Sequence, residues 1–220
     1  MTLTMKEIRA EVLESGGKTP LLRVKELGER FPENIALRNK EFGIWNEISY
    51  LDFWNRCTYL ASALMSYGVN KGEKVAVHSE NRPEWFISDL GIQAAGAVTV
   101  GLYPTNPKSE VKYLLEHSET VILFAEDQEQ VDKALAVREN LPSLKLIVYF
   151  DKKGMYKYDS DYLVSFEEFL KIGKEKLDLN IGQITQTIDN IQDDDLALLV
   201  YTSGTTGPPK GSMITHGNLK

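Results

Sequence analysis

Between positions 202 and 211 the chain gathers four hydroxyl side chains (Thr202, Ser203, Thr205 and Thr206), three glycines (Gly204, Gly207 and Gly211) and one lysine, Lys210. Glycines let successive backbone N–H groups turn toward one point, and such a nest of donors holds an anion. Hydroxyls add donors without charge, and a lysine adds a mobile point charge suited to phosphate. The stretch is shaped for a polyphosphate.

Its spacing excludes the two common nucleotide loops. A Walker A loop needs Gly-Lys-Ser/Thr followed at once by a helix. Here Lys210 follows Pro209 and precedes Gly211. Pro208 and Pro209 also forbid a helix running through the turn. The dinucleotide fingerprint Gly-x-Gly-x-x-Gly is absent. The apolar run Leu196-Ala197-Leu198-Leu199-Val200 reads as a buried strand leading in, and Ser212-Met213-Ile214-Thr215 as a short strand leading out. The motif is therefore expected as a strand–loop–strand phosphate clamp.

Other reactive side chains carry weaker signals. Cys57 falls on the apolar side of an expected helix, where a packed thiol is the ordinary outcome. As the chain's one cysteine, it excludes an intramolecular disulfide and fits a reducing compartment. The consecutive carboxylates Asp193, Asp194 and Asp195 point in different directions and read as a solvated lead-in to a strand, not a metal site. Tyr156, Tyr158 and Tyr162 read as a surface loop with partly buried rings. His216 is read as structural, and His78 and His117 receive no role.

The elements that must position the clamp follow from periodicity. A short helix is expected near 24–30. Alternating runs at 35–39 and 44–49, joined by Lys40-Glu41-Phe42-Gly43, predict an antiparallel hairpin. Ser49 to Asp52 resembles a capping box opening a helix with Phe53, Cys57, Leu60, Ala61 and Leu64 inward. Strands are expected at 74–78, 98–102, 120–124 and 145–150. Helices are expected after Pro83 (Phe86, Leu90, Ala94 and Ala97 along one stripe), after Pro107, over 126–140 and over 164–174. For 126–140 the inward residues are Val131, Ala134, Leu135 and Ala136; for 164–174 they are Phe166, Phe169 and Leu170. Segment 178–195 reads as a polar connection. Alternating strands and helices imply right-handed crossovers, hence an α/β fold with a largely parallel sheet covered by helices and preceded by a β-hairpin.

Composition is that of a soluble globular chain: 220 residues, 42% hydrophobic and 26% charged. A formal net charge of −7 argues against a nucleic-acid partner. The N-terminus has charged residues where a signal peptide needs an apolar block. The apolar stretch from Trp85 to Tyr103 is broken by Asp89 and Gln93, so it reads as buried helix and strand, not a span. A cytoplasmic protein is expected.

The run Tyr201 to Gly211 closely resembles the phosphate-binding signature of the AMP-forming acyl-CoA synthetase superfamily, the adenylate-forming ligases. Met213-Ile214-Thr215-His216-Gly217-Asn218-Leu219 resembles that signature's usual sequel. Ser79 to Trp85 and Gly96 to Thr105 are similar to the corresponding stretches of long-chain fatty-acyl-CoA synthetases, and Phe31 to Leu37 to the family's opening. The resemblance covers the chain from about residue 19 onward.

It implies that a carboxylate attacks the α-phosphate of Mg-ATP, giving acyl-AMP and pyrophosphate, and that coenzyme A then displaces AMP. Thr202, Ser203, Gly204, Thr205, Thr206, Gly207 and Lys210 would hold the β- and γ-phosphates, and Thr202 would approach Mg²⁺ through its hydroxyl. Ser212 stands where the family more often has a small apolar residue. The adenylation lysine, the Mg²⁺-binding glutamate and the ribose-binding aspartate have no match in these residues. The expectation is that residues 1–220 form the first part of the AMP-binding domain and do not by themselves make acyl-CoA. Rival readings are an adenylating enzyme for another carboxylate or a carrier-protein thiol, and a non-catalytic nucleotide-binding module. A fatty-acid substrate is compatible with peripheral membrane contact, although no basic amphipathic helix supports it.

Overall fold

The structure, a computed structural model, describes residues 17–158, 161–202 and 208–220. It opens with helix α1 (Pro20–Arg30), for which Thr19 is the N-cap and Pro20 supplies a preset φ in the first turn. Strands β1 (Ile35–Glu41) and β2 (Ile44–Ser49) form the expected hairpin. Its two-residue turn places both Phe42 (φ 47°) and Gly43 (φ 84°) in the left-handed region, as a type I′ turn requires. Ser49 then caps α2 (Tyr50–Ser66), its hydroxyl accepting from the Asp52 amide at 3.2 Å.

The main sheet follows: β3 (Lys74–His78), α3 (Pro83–Ala94), β4 (Val98–Leu102), α4 (Lys108–His117), β5 (Ile122–Ala125), α5 (Gln128–Leu135), β6 (Leu146–Tyr149), β7 (Leu163–Ser165), α6 (Phe166–Glu175), α7 (Leu177–Asp189), β8 (Leu196–Thr202) and β9 (Lys210–Thr215). Its seven strands run in the order β7-β6-β5-β3-β4-β8-β9, parallel throughout except for the antiparallel pair β8–β9. The expected α/β sheet with a preceding hairpin is what the chain forms.

Strand alternation distributes side chains between two cores. Val75, Val77, Ile122, Phe124, Leu146 and Val148 face α2, α3 and α6. Ala76, Val98, Val100, Leu123 and Ile147 face α4 and α5. Period-2 alternation with both faces apolar is what a sheet covered on both sides demands. On the first side Phe124 meets Phe150, Phe166 and Phe169 with ring centroids 5.5–6.1 Å apart.

Several expectations need correction. Segment 178–195 is largely helix, not a connection: α7 buries Ile184 and Ile188. Residues 163–165 form the edge strand β7. Segment 126–140 ends its α-helix at Leu135, with a 3₁₀ turn at Arg138–Asn140, and it buries Val137 where Ala136 was expected. Phe86 is 42% exposed, because Ile87 and Leu90 make the inward face of α3. The run 196–200 is buried only on alternate residues, since Leu198 and Val200 line an open cleft beside Trp85 of α3.

Candidate functional site

The β8–β9 pair sets the two stems of the clamp. Its ladder ends with Tyr201 opposite Gly211 and Thr202 opposite Lys210. Directly opposed residues have Cα atoms about 5 Å apart, so the Thr202 hydroxyl and the Lys210 ammonium spring from adjacent positions. Both residues are exposed. Ser203, Gly204, Thr205, Thr206 and Gly207 lie outside the described residues.

Beneath the stems lie groups that sequence pattern alone did not single out. Tyr201 is buried, and its hydroxyl lies 2.8 Å from Nδ1 of His117 on α4. Burial pushes its phenol pKa up. Gly211 lies against that ring: a Cβ there would sit 3.3 Å from Tyr201 Cζ. One turn back on α4, Tyr113 donates its hydroxyl proton to the Pro209 carbonyl at 3.1 Å. The available signal was two ring-bearing residues at i and i+4 on one helix face, too common a pattern to single out.

Two clefts flank the stems. One of about 220 Å³ is lined by Gly101, Tyr103, Asn106, Glu110, Leu114, Tyr201 and Pro209. In it Asn106 carries a buried Oδ1 that meets no hydrogen-bond partner among the described residues. A buried acceptor left unpaired is costly, so the cleft is built to receive a donor. The other, about 270 Å³, opens beside it between Trp85, Tyr103, Pro104, Leu198 and Val200, with Ser79, Glu80 and Asn81 on its polar rim. It is an apolar trough ending at the clamp. His78 holds its wall, with Nε2 3.1 Å from the Tyr103 carbonyl.

The remaining reactive groups lie elsewhere. Cys57 is fully buried, and burial drives its thiol pKa well up. His216 sits at the far end of β9 from Lys210, about 20 Å away at strand rise. Burial lowers its pKa. Asp195 accepts from the Gln192 amide and Lys71, the bonds that hold its carboxyl below the usual range. No group of three His, Cys, Asp or Glu among the described residues is placed to hold a metal.

Residues 24–220 match the family model described as AMP-binding enzyme. The chain is 33% identical over 195 residues to the long-chain-fatty-acid–CoA ligase ACSBG2 of Xenopus laevis, covering 89% of this chain and 26% of that protein. It is 30% identical over 188 residues to the long-chain-fatty-acid–CoA ligase FadD15 of Mycobacterium bovis, covering 86% and 30% respectively. It thus spans between a quarter and a third of these relatives' length. Among solved structures, the anthranilate CoA ligase AuaEII in complex with anthranoyl-AMP superposes with a TM-score of 0.70 at 25% identity, covering 88% of this chain and 34% of that one. The acetoacetyl-CoA synthetase from Streptomyces lividans superposes with a TM-score of 0.76 at 21% identity, covering 90% and 30%, and shares the fold. With a glycine- and threonine-rich sequence between the paired strands β8 and β9 of a largely parallel sheet, and a family match across nine-tenths of its length, the chain belongs to the AMP-binding enzyme family, whose sheet architecture it shares.

Proposed function

We propose that the protein is an ATP-dependent, AMP-forming fatty acid–CoA ligase, converting a carboxylate and ATP to acyl-AMP and pyrophosphate, then acyl-AMP and coenzyme A to acyl-CoA and AMP. The observation that carries this is the opposition of Thr202 and Lys210 across the last rung of β8–β9, beside an apolar trough. Pyrophosphate leaves with developing negative charge, and preorganised N–H groups with one cation are what stabilise it. Ser203, Gly204, Thr205, Thr206 and Gly207 would line the β- and γ-phosphates between those stems. The hard, neutral oxygen of Thr202 would suit a Mg²⁺ ion carried in by the nucleotide, where it would offset phosphate charge. The fatty-acyl class draws support from the two relatives named as long-chain-fatty-acid–CoA ligases.

The site is proposed to work in the cytoplasm, with peripheral membrane contact where a fatty acid is drawn from lipid. No helix among the described residues is long and apolar enough to cross a membrane. Adenylation of another carboxylic acid is the second reading, favoured by the shared fold of the ligase complexed with anthranoyl-AMP.

Fatty-acid-dependent ATP–pyrophosphate exchange across a ladder of chain lengths tests the proposal. The full-length enzyme should exchange, and Lys210→Ala should lower the rate about 100-fold, the scale of removing one oriented charge-stabilising group. Exchange with aromatic or short acids and none with fatty acids would move the assignment to the second reading. Exchange undiminished in Lys210→Ala would remove the clamp from the mechanism.

A further inference from the structure

Helix α4 holds the clamp by both stems. Tyr113 reaches the Pro209 carbonyl at 3.1 Å, and His117 meets the Tyr201 hydroxyl at 2.8 Å. The contacts are joined laterally: Tyr113 and His117 rings lie 5.4 Å apart, and His117 meets Tyr201 edge-on at 5.7 Å. Pro209 and Tyr201 are the neighbours in sequence of Lys210 and Thr202. The Pro209 carbonyl belongs to the peptide plane that carries the Lys210 nitrogen. Fixing that carbonyl fixes the plane in which the Lys210 nitrogen and Cα lie, because the peptide is rigid.

The sheet supplies only part of this restraint. Among the described residues β9 pairs with β8 alone, so the ladder holds that stem from one side. Helix α4 is anchored, with Val111, Leu114 and Leu115 buried in the core. Its outer face can therefore transmit a fixed position to the stems.

We propose that Tyr113 and His117 are positioning residues for the phosphate loop, aligning Lys210 and Thr202 on the polyphosphate before it binds. The proposal rests on the polyphosphate reading of the loop. Preorganisation of this kind appears as ligand affinity more than as global stability when the rings stay packed on the core and only a hydrogen bond is removed, as in Tyr113→Phe.

The test compares wild type, Tyr113→Phe, His117→Ala, His117→Gln and Lys210→Ala. Two quantities are read: MgATP affinity by calorimetry, and melting temperature without nucleotide. Tyr113→Phe keeps the ring and removes one donor, so MgATP should bind about three- to tenfold more weakly, the worth of one hydrogen bond. Its melting temperature should move by no more than about 2 °C. His117→Ala should weaken binding similarly, and His117→Gln, whose amide can pair with the Tyr201 hydroxyl, should recover most of it. Amide exchange at Lys210 and Gly211 should quicken in the nucleotide-free Tyr113→Phe chain. Wild-type affinity in Tyr113→Phe alongside lost affinity in Lys210→Ala would overturn the brace alone. Absence of MgATP binding by wild type would overturn the brace together with the polyphosphate reading.

Discussion

At the C-terminal end of β3, His78 is fully buried. Its Nε2–H donates to the Tyr103 carbonyl, and Nδ1 is a buried acceptor with no partner among the described residues. Protonation would place a charge and a second N–H where nothing accepts them. Burial first, and nearby Lys133 second, bring the His78 pKa down to about 4 from 6.5. A histidine with a depressed folded pKa favours folding most above its unfolded value, and that contribution falls as pH drops from 6.5 toward 4. The linkage amounts to about 2 kcal/mol between pH 7.5 and pH 5. His216, also lowered by burial, adds in the same direction. Asp89, whose carboxyl burial raises, acts in the opposite sense. Urea denaturation at both pH values, on wild type and on His78→Gln, isolates the histidine. The variant should lose about 2 kcal/mol of the wild type's acid sensitivity, and equal sensitivity in the two chains would sink the assignment.

At the scale of elements, close approach decides what fits between helices. A Cβ built on Gly173 of α6 would lie 1.8 Å from the Tyr59 carbonyl oxygen and 3.0 Å from the Ala63 nitrogen, both backbone atoms of α2. Backbone cannot move aside as a side chain does, so α6 must shift from the Phe124–Phe169 core. Gly173→Ala should cost about 3 kcal/mol, roughly 6–12 °C in Tm. Gly182→Ala, in α7 with nothing within 4 Å of its Cβ, should instead gain up to about 1 kcal/mol. Thermal melts of the two variants check this, and equal shifts would show that the α2–α6 contact is not tight. The same elements show what sequence pattern could and could not reveal. Strands β3, β4 and β6 were legible because short β-branched runs sit between turn residues, and α2 because its apolar residues keep helical spacing. Helix α7 was not, since its inward residues Ile184 and Ile188 are separated by Thr185, Gln186 and Thr187, and polar filler masked the period. β7 is three residues long, too short to show alternation. The run 202–211 was legible as a motif, but the contacts that α4 makes with its stems lie 84 and 96 residues apart in sequence, which no local window contains.

At the scale of the whole molecule, topology sets where the candidate site lies. The chain leaves β3 for α3 on one face and β4 for α4 on the other, although β3 and β4 are neighbours. Where adjacent strands send their connections to opposite faces, a crevice opens at their C-terminal ends. Gly101, near the end of β4, lines both clefts at this point. The nearest atom to a Cβ on Gly101 is Trp85 Cζ2 at 4.0 Å, so a side chain here enters open space. Gly101→Val should therefore fold at least as well as wild type, because a β-branched residue suits a strand. Its methyl groups would project into the mouth shared by the two clefts. A ligand present at 100 times its Kd stabilises the protein that binds it by about 2.7 kcal/mol, roughly 5–10 °C for a chain of this size. MgATP with a fatty acid should raise the wild-type melting temperature by that order and leave Gly101→Val unmoved. A variant that melts like wild type and still gains the full shift would show that the ligand avoids the crevice, and the β3–β4 switch point would lose its role as the site.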